Sequence, residues 1–150
     1  MTFEQVFINK KIEDIEDYLV KVKELLKFED DKILSDFTKF HTEERLFQLI
    51  VDAMTAINRH IIEESELDKE PEDPQGAFYI LGEKNILPGE FAFKIAPVVA
   101  VRNRIVHGYD YLDQELFIKN LRKNYSDFEK YIKFIVKFLE KEIDYPQGGA

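Results

Sequence analysis

The sequence predicts an all-α protein, an antiparallel bundle of about five helices. Three observations carry that prediction. Apolar residues recur every three or four positions over long stretches, the spacing of one helix face. No segment alternates apolar and polar residues with period two, as a half-buried strand would. Proline, glycine and asparagine gather at a few points that cut the chain into pieces of helical length.

The first piece covers about residues 2–28, with Ile8, Ile12, Ile15, Leu19, Val22 and Leu26 on one stripe. Its other face mixes Lys and Glu, as a solvated helix side does. The second covers about residues 35–64, where Phe47, Ile50, Met54, Ile57 and Ile61 recur at three or four. Ser35 or Asp36 suits its N-cap, because either side chain can accept from a first-turn N–H. Residues 63–73 hold seven acids and one Lys and read as a solvated connection. A short third helix fits residues 74–84, with Pro74 at its start and Asn85 as its stop. Pro88 opens a fourth, running to about His107 and capped by Gly108. Pro97 lies inside that helix and must bend or break it, since its ring removes a donor and clashes with the preceding turn. The last covers about residues 113–141, with Phe117, Leu121, Phe128, Ile132, Ile135 and Leu139 turned inward. Ser126-Asp127-Phe128-Glu129 has the form of a capping box, so two pieces are expected there. Residues 1–145 then make one domain, built around the two long N-terminal helices and the C-terminal one, and residues 146–150 a disordered tail.

Composition limits what such a bundle can do. The chain has 150 residues, 45% of them hydrophobic, enough for one core. With no cysteine, disulfides, thiolate metal sites and a Cys nucleophile are excluded. The N-terminus lacks the apolar run of a signal peptide, and no stretch approaches the ~20 apolar residues that span a bilayer. A cytoplasmic chain without membrane contact is expected. Net charge is −9, concentrated in residues 1–85, which hold 11 basic and 21 acidic side chains. Lys94, Arg102 and Arg104 form a local basic spot instead. A broad nucleic-acid footprint wants a basic face, so any RNA contact here must be short or shared between two subunits.

That spot coincides with the residues richest in chemistry. Asn103 and His107, four apart, project from one helix face, Arg102 reaches round it, and Tyr109 follows the Gly108 cap. A guanidinium suits bidentate phosphate binding, and an imidazole proton transfer near neutral pH. The negative end of the helix dipole also favours a cation there. An Arg and a His at a helix end more often just cap the last carbonyls, with Tyr packing nearby. Elsewhere the plain reading holds. His41 and Glu44 lack the further ligands of a metal site, and His60 sits among apolar residues as a packing histidine. Tyr18, Tyr125 and Tyr131 fall at core spacing. The glycines make no phosphate-binding loop, and no Ser-centred nucleophile motif is present. No cofactor and no metal are expected.

Arg102-Asn103-x-x-x-His107-x-Tyr109 resembles the motif of HepT-like toxins of the HEPN superfamily: Arg, four residues, His, any residue, Tyr. The Leu87-Pro88 turn, the long second helix ending His60-Ile61-Ile62 and the exit through residues 110–112 are also similar, so the likeness covers residues 8–140. Pro97 in the segment before Arg102 is a departure that shifts the face presenting the motif. The resemblance implies a HEPN-like bundle and a metal-independent endoribonuclease acting as a homodimer, two motifs facing across one cleft. His107 would be the acid/base group at the ribose 2′-hydroxyl or leaving oxygen, and Arg102 would hold the scissile phosphate with Arg104 beside it. Asn103 would orient one of them. It further implies a minimal nucleotidyltransferase antitoxin that adds AMP to Tyr109, setting a phosphodiester beside Arg102 in competition with RNA. A second expectation is a non-catalytic HEPN binding subunit that partners the nucleotidyltransferase through the acidic first half.

Overall fold

The apolar stripes become the core. In the computed structural model, which describes residues 5–65, 70, 71, 73–108 and 112–144 (side chains to 142), there are eight helices and no strand among the described residues. They are α1 Gln5–Leu25, α2 Asp30–Leu34, α3 Phe37–Glu64, α4 Pro74–Glu83, α5 Gly89–Ile95, α6 Val98–His107, α7 Gln114–Asn124 and α8 Ser126–Asp144. The five expected pieces become eight for three local reasons. Pro97 ends the fourth piece and starts a new helix, so α5 and α6 replace one. Tyr125 closes α7 by donating its N–H to the Leu121 carbonyl at 2.9 Å, which separates α8. The short α2 was not foreseen, because five residues with Ile33 alone buried carry no readable period.

The starts of α3, α4 and α7 follow the capping rule. Asp36 accepts from the Lys39 N–H at 3.1 Å, Asp73 from Gly76 at 2.7 Å and Asp113 from Leu116 at 3.0 Å. The box expected at Ser126 to Glu129 takes another form: the Glu129 carboxylate meets Lys23 of α1 at 2.8 Å and ties two helices together. α3 ends at Glu64, as the second expected helix does, and so takes in the first two acids of the expected connection. The tail at 146–150 lies outside the described residues.

α3 is the axle of the bundle and packs against α1, α2, α4 and α6. Ile8, Ile12, Ile15, Leu19, Val22 and Leu26 are buried, and Phe47, Ile50, Met54, Ile57 and Ile61 meet them. α8 supplies Phe128, Tyr131, Ile132, Ile135 and Leu139. Each such side chain contributes about 1.5–3 kcal/mol by leaving water. α4 and α5 approach so closely that a Cβ on Gly82 would stand 2.8 Å from that of Ala92, so only glycine fits there. Inside the core the Tyr131 hydroxyl donates to Asn58 Oδ1, joining α8 to α3. Arg122 of α7 clamps the α1–α2 corner, donating to the Leu26 and Phe28 carbonyls at 2.6 and 2.9 Å and to Asp30. Nearby Glu43 is wholly buried, and neither carboxyl oxygen has a hydrogen-bond partner among the described residues. No helix among the described residues is long and apolar enough to cross a membrane.

Candidate active site

The proline that breaks the fourth helix also aims its second half. Pro97 sits at the corner with φ −61° and ψ −13°, and the Val99 and Ala100 N–H groups donate to Ala96 and Pro97 in a tightened first turn. α6 then runs along the edge of the bundle, with Val98, Val101 and Ile105 against the core. Val99 is its one buried residue, while Asn103, Arg104, Val106 and His107 are exposed. Gly108 stops it in the left-handed conformation, φ 64° and ψ 21°, with its N–H on the Arg104 carbonyl at 3.0 Å. That φ strains any residue bearing a Cβ, so the cap that fixes the last turn requires glycine.

Arg102 is the anchored member of the group. Its Nε donates to Asp52 Oδ1 on α3 at 2.8 Å, and its Nη1 to Asn103 Oδ1 at 3.3 Å. A guanidinium has five N–H donors, so two bonds fix its plane and leave donors for a phosphate. The pair is half-exposed, with side chains 27% and 39% accessible, and on surface precedent contributes about 0.2–1 kcal/mol to stability. Its value lies in orientation. Asp52 was missed by the sequence reading, although one acid inside Leu49-Ile50-Val51-Asp52-Ala53-Met54 was a signal that something faces it.

Other residues fall less neatly. Arg104 is two positions from Arg102, a rotation of about 200° around the helix. It lines a cleft on the opposite side of α6, so the two guanidiniums do not form one fork. His107 stands exposed in the last turn, three residues on from Arg104. Tyr109 lies outside the described residues. His60 tilts against the Phe7 ring of α1 at 5.0 Å, in a packing arrangement. His41 pairs with Glu44 beside the rings of Phe37 and Phe40, and no group of three or more potential metal ligands occurs among the described residues.

The helical fold that carries this helix end recurs in solved structures. The HEPN toxin of Shewanella oneidensis, solved tri-AMPylated in complex with MNT antitoxin, matches with a TM-score of 0.82 over 87% of this chain and 97% of that one, at 22% identity. YutE, a cytosolic protein of unknown function from Bacillus subtilis, matches at 0.83 over 98% and 99%, at 15% identity. The fold is thus the helical bundle that these two proteins share. Residues 15–135 match the ribonuclease HepT-like family. The tRNA nuclease HepT of Aphanizomenon flos-aquae (strain 2012/KM1/D3) is 34% identical over 136 residues, 91% of this chain and 92% of that protein. The chain belongs to the ribonuclease HepT-like family.

Proposed function

We propose that this protein is a metal-independent endoribonuclease, the toxin of a pair whose antitoxin is a minimal nucleotidyltransferase. The observation that carries the reading is the Arg102 side chain, held by Asp52 and Asn103 on the same open helix end as His107. The relative from Aphanizomenon flos-aquae is a tRNA nuclease, which favours tRNA as the RNA class. In the proposed reaction a His107 imidazole takes the proton of a ribose 2′-hydroxyl. That oxygen attacks the adjacent phosphorus, and the P–O5′ bond breaks as the leaving oxygen gains a proton. Arg102 binds the phosphate oxygens and offsets charge that grows in the transition state. Asn103 and Asp52 act as positioning residues. A homodimer supplies a second His107 as acid opposite the first as base, and adds two small basic spots into one.

Neutralisation by AMP addition to Tyr109 belongs to the same proposal. It is supported by the solved Shewanella oneidensis toxin, which carries AMP and sits with its MNT antitoxin. One residue beyond the Gly108 cap, an AMP-tyrosine brings a phosphodiester close to the last turn of α6, where it competes with RNA. The test is cleavage of a tRNA mixture in EDTA by the chain purified without partner, beside His107→Ala and Arg102→Ala. Cleavage by the parent alone is the expected result. Equal cleavage by both variants refutes the site, and an unmodified chain that binds the nucleotidyltransferase but cuts nothing is instead the non-catalytic subunit.

A further inference from the structure

On the side of α6 away from Arg102 and Asn103, a cleft of about 310 Å³ opens between the α5–α6 arm and the α7–α8 arm. Its walls are apolar: Val98 and Val101 of α6 face Leu116 and Phe117 of α7. Its rim is polar. Arg104 and Lys94 stand on one side, and Asn120 and Asn124 on the other, one helical turn apart on α7. Two acids also line it, but both are already engaged. Asp113 caps α7, and Asp127 accepts from Lys94 at 3.2 Å. Neither Asn side chain has a hydrogen-bond partner among the described residues.

We propose that this cleft holds one unpaired nucleotide of the RNA substrate, next to the nucleotide being cut; the proposal rests on the ribonuclease reading. Apolar walls suit the two faces of a base, and an amide offers a donor beside an acceptor, the pattern along a base edge. Arg104 takes the phosphate. Its place on the helix, about 60° round from His107, makes it the bridge between the cleft and the catalytic face. Lys94 is paired with Asp127, so Arg104 is the cation this cleft offers to a phosphate, in a chain that carries −9 overall. A slot between two helices admits only a base outside a duplex, so the proposed occupant is unpaired.

The test uses the full chain carrying His107→Ala, so that binding is read without cleavage. A mixed-sequence single-stranded hexaribonucleotide is titrated at low salt while the side-chain amide signals of Asn120 and Asn124 are followed by NMR. Leu116→Glu and Asn120→Leu are then added singly; both positions are exposed, and thermal melting confirms that each variant is folded. The expected result is movement of both amide signals and a loss of affinity on the order of tenfold for each variant. Unmoved signals, or unchanged affinity in both variants, overturns the proposal. So does AMP binding as tightly as the hexamer, which marks a site for a free mononucleotide. Cleavage by the parent is scored separately. Intact cleavage with no cleft contacts removes the cleft alone, and cleft binding without cleavage removes the nuclease reading alone.

Discussion

Glu43 is the place where this fold is least at ease, and replacing it with methionine should make the protein more stable. Its side chain is completely buried on α3, and neither carboxyl oxygen has a hydrogen-bond partner among the described residues. Burial pushes the carboxyl up from 4.5 to about 8, against the pull of the Arg122 guanidinium. An unfolded chain releases this proton near 4.5 and the folded chain near 8, so between those values the folded state binds one proton more. Stability therefore falls with rising pH across that window, by about 1.4 kcal/mol per unit, and the group contributes its full share only below about 4.5. From pH 4.5 to 7 the loss is roughly 3 kcal/mol, a sizeable part of a typical domain's stability. Met fills a similar volume, has no proton to lose and adapts to an irregular site. Urea unfolding of parent and Glu43→Met from pH 5 to 8.5, compared at constant m-value, isolates the term because every other titrating group cancels in the difference. The variant should gain on the parent by roughly 3 kcal/mol between pH 5 and 7.5. Two parallel pH profiles would refute the reasoning, since they would mean that Glu43 titrates alike in both states.

Further outcomes follow from other contacts. Asp52→Ala should slow RNA cleavage on the order of tenfold while Tm barely moves, because a half-exposed ion pair is worth little to stability and much to orientation. Asp52→Asn keeps an acceptor for Arg102 Nε and should restore much of the rate; no rescue would argue against a positioning role. Tyr131→Phe removes the donor to buried Asn58 Oδ1 and should cost about 1–2 kcal/mol, lowering Tm by roughly 3–6 °C. An unchanged melt would show that this bond is replaced. Gly108→Ala forces a Cβ into φ 64°, a strain of about 1 kcal/mol, and should speed amide exchange at the end of α6 severalfold. Unaltered exchange there would show that the cap does not fix the last turn.

Where sequence and structure agree, burial is the reason. A residue such as Ile57 lies on a long helix whose inner face must leave water, so its period of three or four is enough to place it. Proline 97 acts through its own ring, and its break was legible for that reason. Failures came where the deciding partner is distant in the chain. Nothing next to Glu43 in the sequence marks it as buried, yet it is fully enclosed in the fold. Arg102 and Arg104 read as one basic spot, but a helix turns them to opposite sides and Asp52, fifty residues away, claims one of them. At the expected box at Ser126, the Glu129 carboxylate is instead bonded to Lys23 of α1, more than a hundred residues away. α2 was too short to show a period at all.

With Val99 alone of α6 buried, the bundle draws little cohesion from the turn that carries Arg102, Asn103 and His107. Substitutions of Arg102, Asn103 or His107 should therefore leave the rest of the protein folded. On the proposed activity, this sets how the gene drifts when its antitoxin is lost. Escape from self-poisoning needs no truncation or frameshift, because one base change at the tip of α6 disarms a chain that still folds and accumulates. Disarmed copies should therefore survive as intact reading frames, their changes gathered in residues 102–107 and few in α3.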